Sequence, residues 1–227
     1  MSARTEYCQR HGIDDGPDWG PYRSAIKRLL DIAICLPLLI AASPLLAIAA
    51  LLIKLGSRGP VMFNQERLGR YGRTFLTLKL RTMTHRERSA DSEILPGHSE
   101  VTRVGAWLRR TKIDELPQLW NIVRGDMSLV GPRPALPDHI NEYDENGLRR
   151  LLVRPGMTGL AQTRGNIYLS WPERWHYDAS YVKRLSLLGD TFIVLKTVAV
   201  VLFGEERFVR HPGNQPQPST ESQRAAA

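Results

Sequence analysis

Asp114 and Glu115 are adjacent carboxylates that stand just before an apolar pattern at helical spacing: Leu116, Leu119, Trp120 and Val123, closed by Gly125. Asp114 fits the N-cap of that helix and Pro117 its first turn. A purely structural role suffices for both carboxylates, with Asp114 capping and Glu115 complementing the helix dipole. The same place also suits chemistry. Neighbouring carboxylates at a helix start point in different directions and can take different roles. Free N–H groups there attract phosphate. One or two carboxylates, completed by substrate phosphate oxygens, make a site for a hard divalent cation such as Mg²⁺. Arg109, Arg110 and Lys112 lie immediately upstream. Spacing alone leaves both readings open.

Asp178 is a second candidate. Ser170-Trp171-Pro172-Glu173 reads as a capping box with proline in the first turn. The helix that follows puts Trp171, Trp175, Asp178, Val182 and Leu185 on one stripe. An aspartate in an apolar stripe needs a cation, a donor or a functional partner unless it sits at an exposed rim. Gly131-Pro132-Arg133-Pro134 and Arg154-Pro155-Gly156-Met157-Thr158-Gly159 are rigid turns presenting arginine. Their arginines suit either bidentate phosphate contacts or buried ion pairs.

The surrounding elements must position these groups. Ile32 to Ile53 is a run of 22 residues without a charge. As a straight helix it reaches ~33 Å, enough for a bilayer core of ~30 Å. Ser43-Pro44 interrupts it, and both flanks are positive, with Lys27 and Arg28 before and Lys54 and Arg58 after. Positive charge collects on the cytoplasmic side, so a helix bent at Ser43-Pro44 that enters and leaves through one leaflet fits as well as a spanning helix does, and a buried core helix is the third reading. A serine beside the proline can bond a carbonyl that the proline frees. Next, Val61-Met62-Phe63 leads into the Gly- and Arg-rich turn 67–73. Leu76, Leu78 and Leu80 then alternate with Thr77 and Lys79, which predicts a hairpin with a half-buried second strand. Residues 58–110 carry 11 Lys/Arg against 5 Asp/Glu, so much of the positive charge follows the apolar run directly. That stretch is a solvated face, a contact for anionic lipid, or a phosphate site at a membrane surface. After Asp190, a helix from Thr191 to about Phe203 is apolar nearly all round, and is either core or in-plane interfacial.

Composition narrows the classes. With 227 residues, 42% apolar and 24% charged, the chain can bury a core and is neither largely disordered nor polytopic. A net charge of +8 and a pI near 9.8 favour anionic partners. Two cysteines, Cys8 and Cys35, support neither a disulfide framework nor a cysteine zinc site. Residues 1–20 are polar, lack the apolar stretch of a secretory signal and read as a flexible leader. Residues 210–227 read as a disordered tail.

Taken together and in order, the motifs carry a resemblance. K-R-L-L-D at 27–31, the Ser43-Pro44 break, G-P-V-M-F-N-Q-E-R-L-G-R at 59–70, K-L-R-T-M at 79–83, and T-R-V-G-A-W-L-R-R-T-K-I-D-E-L-P-Q-L-W-N at 102–121 open it. G-D-M-S-L-V-G-P-R-P at 125–134 and R-P-G-M-T-G-L-A-Q at 154–162 complete it. The chain resembles the bacterial sugar transferases, or monotopic phosphoglycosyl transferases, and specifically their short exopolysaccharide-priming members. Two stretches depart from the family pattern: His98-Ser99-Glu100, where a basic approach is usual, and Thr163 to Ile167 after the last motif. Both leave the identity of the sugar open.

The resemblance implies an enzyme that moves a sugar-1-phosphate from a UDP-sugar to undecaprenyl phosphate and releases UMP. Asp114 would be the nucleophile that forms a covalent phosphosugar intermediate, and Glu115 would hold Mg²⁺. Lys79, Arg109 and Arg133 would hold phosphates, and Asp178 falls where the family has a functionally important acid. The expected fold is a small, helix-dominated α+β domain with a short β-hairpin. Residues 21–56 would form a re-entrant membrane helix bent at Ser43 and Pro44, and residues 57–209 a catalytic domain with interfacial helices. The protein would sit monotopically on the cytoplasmic face of a bacterial inner membrane, touching membrane lipid, with no nucleic-acid partner and with a homodimer left open. The competing expectation is a catalytically inactive anchor or scaffold in a polysaccharide assembly complex.

Overall fold

The computed structural model describes residues 2–13, 20, 22–84 and 100–203. The atypical His98-Ser99 pair and the expected tail at 210–227 lie outside the described residues. Among those described, helices dominate and two small sheets serve as braces.

Helix α1 (Ala3–His11) starts at Ser2, whose Oγ accepts the Thr5 N–H, and is closed by Gly12 in the left-handed conformation at φ 62°. The leader was expected to be polar and flexible. Here part of it is helical and docked, because Tyr7 and Cys8 are brought against the core and Ile13 follows them in. The Tyr7 hydroxyl donates to the Leu148 carbonyl at 3.1 Å.

Helix α2 (Lys27–Gly56) contains the whole charge-free run and is preceded by a π-helical turn, Tyr22–Ile26. It continues through the Ser43-Pro44 step instead of ending there. Pro44 cannot donate to the Ile40 carbonyl four residues back, and Ser43 Oγ donates to that carbonyl at 2.8 Å. The N-terminal part packs Cys35 and Leu39 with Leu119, Ile122 and Met127. The C-terminal part packs Leu46, Ala49 and Ile53 with Leu80, Leu108 and Val104. Both ends of α2 therefore rest on one body. Between them Leu38, Ile40, Leu45 and Ile48 are exposed.

Strands β1 (Met62–Leu68) and β2 (Thr74–Leu80) form the expected antiparallel hairpin, with Phe63 opposite Lys79 and Gln65 opposite Thr77. The expected burial alternation is not followed. Thr77 is buried and donates its hydroxyl to the Gln65 carbonyl at 2.8 Å, whereas Leu76 is half exposed. Helix α3 (Arg103–Thr111), a 3₁₀ turn (Ile113–Glu115) and α4 (Gln118–Arg124) follow. Asn121 on α4 is fully buried. Its amide accepts the Leu78 N–H at 3.0 Å and donates to the Leu76 carbonyl at 2.8 Å. In this way one side chain satisfies main-chain groups of β2 that no third strand pairs.

A second sheet, not anticipated from sequence, pairs β3 (Ser128–Val130) in parallel with β4 (Gly156–Thr158). It joins the two arginine-presenting turns. The approach is close enough that a Cβ at Gly156 would lie 2.1 Å from the Gly131 nitrogen. Helix α5 (Glu145–Arg149), α6 (Leu160–Arg164), α7 (Trp171–Lys183) and α8 (Leu187–Phe203) complete the chain. The Ser170–Glu173 capping box is present at the start of α7.

Helix α8 is neither all core nor free. Ile193 and Asp190 are buried, while Leu188, Phe192, Leu195, Val198, Val201, Leu202 and Phe203 face outwards. Asp190 does not cap. Its Oδ2 takes Lys27 Nζ at 2.5 Å and the Tyr22 hydroxyl at 2.7 Å, and its Oδ1 takes the Tyr181 hydroxyl at 2.8 Å. This cluster ties α8 and α7 to the start of α2. On α7, Asp178 is buried and paired with Arg150 at 2.9 Å. Arg150 also donates to the Tyr143 hydroxyl at 2.8 Å and to the Arg133 carbonyl at 2.6 Å.

Two substitutions test these braces in thermal or urea unfolding. Asn121→Leu strands two buried main-chain groups of β2 and is expected to cost about 2–4 kcal/mol; a loss under ~0.5 kcal/mol would contradict the brace. Asp178→Asn leaves Arg150 buried without its counter-charge and is expected to cost about 3–5 kcal/mol. An unchanged melting temperature would contradict that pairing.

Candidate active site

The 3₁₀ turn that carries the carboxylate pair has a sharp entry. Helix α3 ends at Lys112, which adopts the left-handed conformation at φ 59°. This costs a non-glycine residue about 1–2 kcal/mol. The reversal brings Asp114 and Glu115 directly after α3. The helix proper begins only at Gln118, with Pro117 rather than Asp114 at its N-cap. The capping role open to Asp114 is therefore not used: neither the 3₁₀ turn nor α4 has a side-chain cap. Asp114 is buried, and among the described residues its Oδ1 lacks any hydrogen-bond partner.

Glu115 is the meeting point. Its Oε1 accepts Lys79 Nζ at 2.7 Å and Arg133 Nη2 at 3.0 Å. Lys79 comes from β2 and Arg133 from the G-P-R-P turn, so three separate chain segments converge on one carboxylate oxygen. Burial raises the Glu115 carboxyl pKa, but the charges of Arg133 and Lys79, with the Lys79 hydrogen bond, override it and hold the group well below the usual carboxylate range. Asp114 moves the other way. Burial, then the neighbouring Glu115 charge, pushes its carboxyl up, against the pull of Lys79, Lys112 and Arg109. Burial lowers the Lys79 amine, with Glu115 opposing and Arg133 adding to the shift.

Arg109 is held from behind. Its Nε donates to Thr82 Oγ1 at 2.8 Å, and its charge acts on Asp114. That placement needs α3 to lie against the end of β2. A Cβ on Gly105 would sit 1.8 Å from the Thr82 carbonyl oxygen, so glycine is required there. Arg133 keeps a side chain about half exposed (48%), which leaves the cluster open to a ligand from solvent.

Five of the sequence-predicted residues thus come together: Asp114, Glu115, Lys79, Arg109 and Arg133. Asp178 does not join them. It lies in the core, where burial pushes its carboxyl up to about 6 against the Arg150 charge. Its reach to the site is indirect, through Arg150 to the main chain of Arg133. Sequence reasoning missed Arg150, Asn121 and Thr82 as supports. Each is a single polar residue in a mixed stretch, and the distant main chain it serves has no local signature. Lys112 carried a weak signal, being a lysine where a helix must end.

Among the described residues no group of three or more His, Cys, Asp or Glu side chains is placed to cage a metal ion. The arrangement does fit a cation completed by ligand oxygens: two adjacent carboxylates, one with a buried, unpartnered oxygen, beside cations suited to phosphate. Such a cluster can bind a diphosphate and offers an ionisable carboxylate as a nucleophile.

The chain is similar to known proteins over most of its length. The family model for bacterial sugar transferases matches residues 22–204. The UDP-glucose:undecaprenyl-phosphate glucose-1-phosphate transferase of Caulobacter vibrioides is 45% identical over 185 residues, 78% of this chain and 69% of that protein. The exopolysaccharide production protein ExoY of Sinorhizobium fredii is 38% identical over 197 residues, 80% of this chain and 87% of that one. The undecaprenyl-phosphate galactose phosphotransferase of Salmonella typhimurium is 35% identical over 193 residues, 78% of this chain but 40% of that longer protein. A match over most of the chain, which includes every residue of the converged cluster, shows that the protein belongs to the bacterial sugar transferase family.

Proposed function

We propose that this transferase moves a sugar-1-phosphate from a UDP-hexose to undecaprenyl phosphate and releases UMP, as the priming step of exopolysaccharide or surface glycan synthesis. The observation that carries the reading is Asp114: a carboxylate with an unpartnered buried oxygen, set among Lys79, Lys112 and Arg109 and beside the ion-paired Glu115. The named substrates of the relatives supply the donor and acceptor classes. Those names differ in the sugar, so the hexose is left unassigned.

The chemistry follows in two displacements. An Asp114 oxygen attacks the phosphorus that bears the sugar. A phosphorus–oxygen bond forms, the bond to the bridging oxygen breaks, and UMP leaves with that oxygen. Asp114 then carries the phosphosugar as an acyl phosphate. A phosphate oxygen of the polyprenyl acceptor attacks the same phosphorus, the Asp114–phosphorus bond breaks, and the carboxylate is restored. Lys79, Arg109 and Arg133 offset charge on the phosphates through both steps. Glu115 would hold Mg²⁺ together with substrate oxygens, and the cation would supply further neutralisation of the diphosphate. Before substrate arrives, Glu115 keeps Lys79 and Arg133 positioned and prevents their mutual repulsion.

The donor is water-soluble and the acceptor lies in the bilayer, so the reaction needs a site at the boundary. Helix α2 is long and apolar enough to cross a membrane. Its two ends rest on the same body, its two flanks are positive, and Ser43 compensates the carbonyl freed at Pro44. These features support a helix that enters and leaves through the cytoplasmic leaflet, with the outward apolar face of α8 lying in the interface.

Single-turnover UMP release from a UDP-sugar panel, without acceptor, tests the chemistry. Asp114→Asn is expected to reduce the first turnover by at least about 10³-fold, and omission of Mg²⁺ to stop it. An undiminished first turnover in the variant would contradict the nucleophile. Sustained Mg²⁺-dependent release by the wild type once polyprenyl phosphate is added would also exclude the inactive-scaffold alternative. For topology, reporter tags at residue 1 and residue 227 are expected to be accessible from the cytoplasm; opposite exposure would contradict the re-entrant helix.

A further inference from the structure

We propose that a cleft at the start of α2, separate from the Asp114–Glu115 cluster, binds the phosphate of a membrane phospholipid headgroup. The cleft is open to solvent and is lined by Lys27, Arg28, Asp31, Arg70, Arg154 and Leu185, among others. None of the five residues that converge at the active site lines it.

Among the described residues its charges do not balance. Lys27 is neutralised by Asp190 at 2.5 Å. Asp31 spends its carboxylate on the Ser128 hydroxyl at 2.7 Å and the Leu129 N–H at 3.0 Å. Three guanidinium groups share that one remaining carboxylate. Arg28 is committed to the end of α4, donating to the Ile122 and Val123 carbonyls. Arg70 and Arg154 each commit only Nε, to the Leu152 carbonyl at 3.2 Å and the Gly125 carbonyl at 2.8 Å. The Arg70 guanidinium also lies over the Tyr71 ring, 4.6 Å from its centroid, and among the described residues the terminal nitrogens of Arg70 and Arg154 donate to no protein acceptor. Burial, followed by the charges of Arg70 and Arg28, holds Arg154 below its ordinary pKa. A half-buried group of like charges is costly, and an anion relieves that cost. Paired guanidinium forks match phosphate oxygens in particular.

The flanks of the cleft point to lipid as the source. Lys27 and Arg28 lie between Ile26 and Leu29, which are 43% and 66% exposed. Leu185, also in the lining, is followed by Leu187 and by Leu188, which is 83% exposed. A phosphate bound here would have apolar side chains beside it for acyl chains to cover. The proposal rests on the membrane seat described above but not on the chemistry of Asp114.

The test is the melting temperature of the purified full chain in neutral detergent, titrated with short-chain phosphatidylglycerol and without donor or acceptor. Binding to the folded state is expected to raise the midpoint in a saturable way. Arg70→Gln and Arg154→Gln are each expected to raise the half-saturating lipid concentration about tenfold. Should Arg154→Gln fail to fold for want of its bond to Gly125, Arg70→Gln decides. Equal stabilisation by short-chain diacylglycerol would show that tails alone suffice and would overturn the proposal. Equal stabilisation by inorganic phosphate would identify a free-anion site and would also overturn it, as would unchanged titration in every folded variant. UMP release in parallel keeps these outcomes distinct from failure of the transfer chemistry.

Discussion

The arrangement depends on one carboxylate oxygen. Glu115 Oε1 holds an ammonium from β2 and a guanidinium from the G-P-R-P turn at once. Without it, the largely buried Lys79 ammonium and the half-exposed Arg133 guanidinium would face each other with no carboxylate between them. With it, three chain segments far apart in sequence are fixed within hydrogen-bond distance. The supports behind them are also polar and specific. Asn121 holds β2 to α4, Arg150 holds the main chain of Arg133, and Thr82 holds Arg109. Asp114 stands beside this arrangement without entering it: its Oδ1 stays unpartnered among the described residues, and burial and the Glu115 charge push its carboxyl up against the pull of Lys79, Lys112 and Arg109.

A second polar knot connects the site to the apolar helix. Asp190 gathers Lys27, Tyr22 and Tyr181, and Asp31 gathers Ser128 and the Leu129 N–H. Both knots lie where α2 leaves the body, and the second fixes α2 to β3, just before the G-P-R-P turn. The orientation of the apolar helix and the position of Arg133 are thus set through a few shared contacts. The proposed transfer from a soluble donor to a lipid acceptor would need this coupling, since the Lys79–Glu115–Arg133 cluster would have to stay at a fixed height relative to the bilayer.

Much of this was legible before the structure. The hairpin, the helix after Glu115, the capping box at Ser170 and the long apolar helix all have local signatures, in periodicity, turn residues or caps. The Ser43 hydroxyl meets the carbonyl that proline chemistry leaves free. The motif blocks named the five residues that converge. What was not legible is what depends on distant partners. Asp114 has the sequence position of a cap, yet Lys112 turns the chain early and the carboxylate is left uncapped. Thr77 and Leu76 exchange their expected exposures, because Thr77 finds a carbonyl on β1 while β2 is covered on its far side by Asn121. The parallel β3–β4 pair unites two turns with nineteen residues between them, and the requirement for glycine at 131 and 156 hints at the contact. Tyr7 and Cys8 looked like part of a polar leader, since two apolar residues per helix carry too little periodicity to announce a buried face.

The central claim is that Asp114 becomes covalently attached to a phosphorylated sugar. It is tested most directly by mass spectrometry of enzyme quenched in acid after incubation with a UDP-hexose and Mg²⁺ in the absence of polyprenyl phosphate. The account predicts a hexose-phosphate adduct on the peptide that carries Asp114, discharged when the acceptor is added. An unmodified peptide in enzyme that has nonetheless released a full equivalent of UMP would contradict it.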